Sequence, residues 1–369
     1  MKKTLLLFAG IAASALMQAQ TSAEINKYPG YSLSFHDEFD SGTPGQNGVM
    51  QPDSSAWEYE KGYARGTQRQ YYTDKPQNVF LKDGMLYIRA IADTTLNPEY
   101  NPASDDVRYN KRRISTSGSI YTKDKYRFHG GIIETRAKIP ALEGFAPAIW
   151  TSGDWHYGYS EIDIMEWITG NDHTTVHWGK DWRNITNRTM RLDKESLPAD
   201  FFDRFHTWRA EWNQHYIRVY LDDVQIYELP LDKTYVAERG FSPFQNPENK
   251  MNYKLNLAFY YDTPVKTFPT DFIIDYTRIY TPDKADSPLV NRISEARRLL
   301  DSTKNIKGYT SGARRALQSA IKTASRQVGK TDSERIYRAL DRLDTAIDAY
   351  RKSGPQSSSD NWHFTHWGV

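Results

Sequence analysis

The 369-residue chain has no cysteine, which excludes a disulfide frame and any lipid anchor attached through a thiol. It also lacks long hydrophobic runs beyond its first twenty residues. There, Lys2 and Lys3 precede the apolar run Leu5 to Met17 and then Ala19-Gln20. That is the order of a secretory signal peptide, and the run is short for a membrane span. An excess of one charge sign is missing too. A formal net charge of +2 argues against a nucleic-acid footprint over the whole molecule. These absences lead us to expect an exported protein, periplasmic or extracellular, with residues 1–20 removed, no membrane span and a monomeric state.

Aromatic residues are plentiful, at 14% of the chain with 25 Tyr and 10 Trp. Their flat apolar faces and polar edges suit stacking against sugar rings, although β-sandwich cores also consume them. From Tyr31 onward, short runs rich in Val, Ile, Tyr, Phe, Thr and Trp are broken by Gly, Pro and Asp. Strands are expected at 113–122, 128–138, 146–152, 159–168, 173–179, 206–213, 215–221, 224–229, 252–260 and 271–281, with a hairpin turn at Asp83-Gly84. Such regular spacing without an intervening amphipathic helix predicts an all-β sandwich over residues 28–281.

The composition changes near residue 282. Residues 282–288 read as a linker, and 289–352 carry a helical period. Ile293, Ala296 and Leu300 mark one helix. Ala313, Leu317, Ala320, Ile321 and Ala324 mark a second, and Ile336, Leu340, Leu343 and Ile347 a third, with Thr331 to Glu334 as a capping box. The expectation is a small three-helix bundle. Lys and Arg in 289–352 number fifteen against seven Asp and Glu, so the bundle is basic, either as a solvated face or as a surface for anionic glycans or a cell surface. Residues 353–369 form a polar linker ending in an aromatic cluster.

The chemistry concentrates in Ser160 to Trp167, Ser-Glu-Ile-Asp-Ile-Met-Glu-Trp. On a strand, Glu161 and Asp163 share one face and Ile162 and Ile164 the other. Glu166 lies at an odd offset from Glu161 and would face away. A β-bulge at Ile164-Met165 would return it to the acid face. Two carboxyl groups flanking a glycosidic bond, one as nucleophile and one as proton donor, are what a retaining glycosidase requires. Asp163 between them would raise its neighbours' proton affinity by repulsion. The plainer reading is the solvated face of an edge strand.

Glu-Ile-Asp-Ile-Met-Glu resembles the bulged catalytic signature of glycoside hydrolase family 16. Other segments resemble that family in the right order: His36 to Phe39, Asn78 to Leu86, Gly131 to Pro140, Pro147 to Trp150, Leu255 to Ala258 and Asp275 to Tyr280. The resemblance implies a jelly roll of two curved antiparallel sheets, with Glu161 as nucleophile, Asp163 as helper and Glu166 as acid/base, and no cofactor for catalysis. It implies an endo-acting retaining β-glycan hydrolase on a polysaccharide, most simply a β-1,3- or mixed-linkage glucan. It also implies a calcium ion on the convex side held by acids matching Glu38 and Asp275, for which a salt bridge with Arg278 is the rival use.

Candidate subsite residues are Trp150 and Trp155 as stacking platforms, Arg65 and Gln70 from the loop 65–72, and Asn256. His177 is expected near Glu166, as a tuning imidazole or as a structural one; Trp150 also fits a core role. Thr67 and Gln68 replace the Asn and Glu usual in laminarinases, and Phe259-Tyr260-Tyr261 replaces Gly-Gly. These departures leave β-galactans such as agar, porphyran or mucin-type galactosyl chains open as substrates. A non-catalytic glycan-binding protein on the same frame is the alternative of a different class.

Overall fold

The computed structural model describes residues 27–355 except 67, 143, 169 and 261–266, together with 362 and 364–368. The expected signal peptide lies outside the described residues, as do Thr67 and Tyr261. The chain divides into two compact units, one of residues 35–279 with 358–369 and one of residues up to 34 with 280–357.

The first of these is the β unit. One sheet of eight strands runs, edge to edge, Phe364–Gly368, Asn184–Leu192, Asn171–Asp181, Tyr159–Ile168, Phe145–Ser152, Asn252–Phe259, Ser119–Tyr121 and Glu58–Tyr59. The second sheet has ten strands; at its centre, Gly131–Lys138 lies between His206–Trp212 and the long strand Thr270–Pro282. The two sheets share one core. Ile149, Ile162, Val176 and Leu255 from the first join Ile133, Trp208, Ala210 and Val219 from the second in a single cluster, each fully buried. Alternating apolar residues on both inner faces make this a sandwich, and the fold is the jelly roll expected from the sequence.

The hairpin at Asp83-Gly84 forms as its turn chemistry dictates. Lys82 pairs with Met85, and both turn residues have positive φ, 54° and 70°, the two-residue geometry that matches strand twist. Two of the strands outside the expected ranges lie side by side at one sheet edge. Asn184–Leu192 is polar along most of its length and buries Thr189, Met190 and Leu192 only. The tail strand Phe364–Gly368 pairs antiparallel with it, from Arg188↔Gly368 to Leu192↔Phe364. The tail thus covers what would be an open sheet edge, with Phe364 packed against the core.

A buried acid sits between the sheets. Asp172 has no solvent exposure; its Oδ2 accepts the indole N–H of Trp208 at 3.1 Å, and its Oδ1 has no hydrogen-bond partner. Burial raises its pKa to about 7, against the lowering pull of that N–H. The folded state therefore binds this proton more tightly than the unfolded chain does. The stability is fully present below the ordinary carboxylate value and is lost as pH rises toward about 7. At pH 8 the loss is on the order of 4 kcal/mol. Asp172→Asn is expected to flatten the fall in Tm between pH 4 and pH 8; parallel curves for variant and wild type in a thermal denaturation series would show that Asp172 does not carry it.

The other unit holds three helices, Ser287–Ser302, Ser311–Ser325 and Ser333–Lys352. The first starts inside the stretch read as a linker, because Pro288 falls in its first turn, where a missing N–H costs nothing. The third is capped by Asp332, whose side chain accepts the N–H of Arg335, one residue later than the capping box placed it. Ile293, Ala296, Leu317, Ile321, Ala324, Ile336, Leu340, Leu343 and Ile347 are buried as the period predicted. Arg335 and Arg338 are exposed and paired with Asp332 and Glu334 of their own helix, which is how a solvated basic face is built.

Candidate active site

The strand Tyr159–Ile168 carries the irregularity that its acids require. Along the strand Phe145–Ser152, Trp150 lies opposite Asp163 but Ile149 lies opposite Met165, so Ile164 is the extra residue. Along Asn171–Asp181 the register slips between Asp163 and Glu166. Ile162, Ile164, Met165 and Trp167 are all at most 1% exposed within the core cluster. Two consecutive residues, Ile164 and Met165, thus face inward, and Glu166 regains the face of Glu161 and Asp163. All three acids line a cleft of about 560 Å³.

Neighbouring strands hold the acids in place. The Tyr159 hydroxyl donates to Glu161 Oε2 at 3.0 Å. His177 Nε2 lies 3.2 Å from Asp163 Oδ2 and 4.0 Å from Glu161 Oε1. The expected placement of His177 beside Glu166 is corrected: the bulge puts His177 opposite Glu161 and His173 opposite Glu166.

The electrostatics separate the two glutamates. Burial, then the charge of Asp163, raises Glu161 to about 7, while His177, Tyr159 and Lys254 pull it down. Glu166 is raised well above the carboxylate range by burial first and then by the charges of Asp163 and Glu161, with Arg65 opposing. Burial lowers the pKa of His177, but its hydrogen bond to Asp163 and the two carboxylate charges outweigh that and raise it. Because the two glutamates interact, they titrate as a pair, and the proton stays longer on Glu166.

The walls differ from one another. Trp155 stands 60% exposed at the cleft on a three-residue turn, where Asp154 Oδ1 accepts the N–H of His156 at 2.9 Å. Asn249 ties this turn to the acid strand: its Oδ1 accepts from the Asp154 N–H, and its Nδ2 donates to Ser160 Oγ. The approach is so close that a Cβ on Gly153 would lie 2.2 Å from Ser160 Oγ, which leaves room for glycine alone. Trp150 is not an open platform. It is 8% exposed, its indole N–H donates to Asn256 Oδ1 at 2.7 Å, and Arg65 and Lys254 lie over its ring. Asn256 also donates to the Tyr72 hydroxyl, so it sets Trp150 in place from the cleft floor.

Arg65 lines the cleft and pairs with Glu60 at 2.6 Å. Gln70, expected with it, is a correction. It is buried away from the cleft, and its amide is used within the fold, donating to Gln68 Oε1 and accepting from the Phe259 N–H. The two acids expected at a metal have arginine partners. Glu38 is bound by both arms of Arg278, at 2.9 and 2.6 Å, and Asp275 by Arg136. The arginine pairing of Glu38 is the rival use named for it. Among the described residues, the one group with metal-like donor spacing is Glu161, Asp163 and His177, within 4.8 Å of one another, and its hydrogen bonds already account for it.

Sequence reasoning missed Tyr159, Glu60 and Lys254. Tyr159 had a signal, lying two residues before Glu161 on the same strand face. Glu60 and Lys254 had none, being brought to the cleft by strands distant in sequence.

Comparison with known proteins agrees with this geometry. The chain matches the family described as Glycosyl hydrolases family 16 over residues 66–277. It is 29% identical to a beta-glucanase of Rhodothermus marinus, over 76% of this chain and 94% of that protein. It is 28% identical to glucan endo-1,3-beta-glucosidase A1 of Niallia circulans, over 68% of this chain, and spans 38% of that protein's length. Among solved structures, it resembles one from work on endo-acting O-glycanases with which human gut bacteria initiate mucin breakdown (27% identity, TM-score 0.59, 70% of this chain and 94% of that one). It also resembles the laminarinase catalytic domain of Thermotoga maritima (27% identity, TM-score 0.53, 68% and 98%). With the profile match covering more than half its length and the acids set on a bulged strand of a jelly roll, the chain belongs to glycosyl hydrolases family 16.

Proposed function

We propose that this protein is an endo-acting retaining β-glycan hydrolase whose substrate is a β-1,3- or mixed-linkage glucan. The observation that carries the reading is the bulge that gathers Glu161, Asp163 and Glu166 on one cleft face with their proton affinities split. Glu161, the more readily ionised, attacks the anomeric carbon. Glu166, which keeps its proton, gives it to the departing glycosidic oxygen and then takes a proton from the water that hydrolyses the glycosyl-enzyme. Asp163 holds His177, which stands 4.0 Å from one oxygen of Glu161, and the Tyr159 hydroxyl donates to the other. Trp155 offers the exposed ring for a sugar.

The glucan preference is supported by the beta-glucanase and endo-1,3-beta-glucosidase relatives. Export is supported by the basic and then apolar N-terminus, and a monomer is the working state. A panel of laminarin, mixed-linkage glucan, agar and mucin glycans with product sizing tests the reading: mid-chain products from the glucans are expected, and products from the galactans alone would overturn it. Tyr159→Phe removes one hydrogen bond to a charged group and is expected to lower kcat/KM by roughly 10-fold, with the fold intact by circular dichroism.

A further inference from the structure

The part of the cleft beyond Trp150 is charged oppositely to the acid row. Trp150 lies opposite Asp163 on one neighbouring strand and opposite Lys254 on the other. Residues directly opposite share a face, so Lys254 stands two strands, roughly 10 Å, from Asp163 on the same surface. The Trp150 ring carries both cations of this region, with the Arg65 guanidinium carbon 4.8 Å and the Lys254 ammonium 4.0 Å from its centre.

Glu60 is the carboxylate paired with this region, and the charge of Glu161 reaches both cations as well. Glu60 Oε2 takes Arg65 at 2.6 Å and the Ser119 hydroxyl at 2.6 Å. Its Oε1 is 4.0 Å from Lys254 Nζ, too far for a hydrogen bond. Lys254 and Glu60 are only 15% and 20% exposed, so water screens neither fully. Burial lowers the pKa of Lys254 to about 8, and Glu60 and Glu161, opposed by Arg65, only partly restore it. A partly desolvated ammonium short of counter-charge, open to a cleft that accepts sugars, favours an anion.

We propose that Lys254, with Arg65, binds an anionic substituent, a carboxylate or a sulfate ester, on a sugar next to the cleaved one, so that the preferred substrate is an acidic β-glycan. The proposal rests on the hydrolase reading above. A competing role is visible in the same residues, since Lys254 pulls Glu161 down and Arg65 pulls Glu166 down; as positioning charges they would act on neutral and acidic chains alike.

The test compares initial rates on laminarin, partly C6-carboxylated laminarin and partly sulfated laminarin, at low and high salt. For wild type, kcat/KM on at least one acidic preparation is expected to exceed that on laminarin by about 10-fold and to lose that margin at high salt. The two acidic arms tell carboxylate from sulfate. Lys254→Gln should remove the margin and Lys254→Arg should keep most of it, which separates lost charge from lost folding. Equal rates on all three preparations would overturn the proposal alone. So would a Lys254→Gln protein whose rates fall equally on all three with a displaced pH profile. No hydrolysis of any preparation overturns the glucan-hydrolase reading, and the proposal with it.

Discussion

Glu161→Gln loses at least about 10⁴-fold in kcat on β-glucan, because the amide keeps the shape of the carboxylate but cannot form the glycosyl-enzyme. Binding survives this change. The variant still accepts the Tyr159 hydroxyl through its amide oxygen, and the cleft walls at Trp155 and Arg65 are untouched. Its Tm should equal or exceed that of wild type. A carboxylate whose pKa burial has pushed to about 7 is a net cost to the fold, and an uncharged isostere removes it. Calorimetric titration with laminari-oligosaccharides and a thermal melt check both halves. Retention of wild-type turnover would remove Glu161 from the nucleophile role.

Glu166→Gln differs in kind. Loss of the proton donor costs about 10²–10⁴-fold on polysaccharide, but far less in the first step on an aryl glycoside whose leaving group departs without protonation. The glycosyl-enzyme should then accumulate, and azide, which attacks without a base, should restore turnover and give a β-configured product. The pH profile follows from the same residues. The productive state has Glu161 ionised and Glu166 protonated, so kcat/KM of wild type climbs as pH rises toward about 7, the value to which Glu161 is pushed. It falls again at higher pH as Glu166 finally loses its proton. Glu166→Gln should keep the rising limb and lose the falling one. An α-configured azide product would contradict the retaining course.

Single strands and turns were largely legible because their signals are local. Asp83-Gly84 announced its hairpin, the apolar periods of 293–347 announced three helices, and the offset of Glu166 from Glu161 demanded a bulge. Signals failed where the determining partner lay elsewhere. Asn184–Leu192 reads as loop by composition, and becomes a strand because it pairs on both edges. Trp150 reads as a platform or as a core residue until Arg65 and Lys254 cover its ring. Gln70 seemed to belong with Arg65, yet a turn closed by the Gln68 N–H on the Arg65 carbonyl separates them, and its amide went to Phe259.

For Glu38 and Asp275 the amino-acid order left a metal and an arginine partner both open. Oxygen-bearing side chains suggested a cation, and Arg278 and Arg136 supplied one each.

By itself, the amino-acid order determined the alternation that buries Ile162 and Ile164, the identity of the three acids, and the class of fold that sets them in a cleft. Backbone period and side-chain polarity are properties of neighbours in the chain. Only the tertiary structure decided which histidine meets Glu161, which tryptophan stays open to sugar, and that Glu60, Arg65 and Lys254 share one end of the cleft. Those outcomes depend on strand register and on desolvation, and both arise only when segments far apart in sequence are brought within a few ångströms and water is excluded between them.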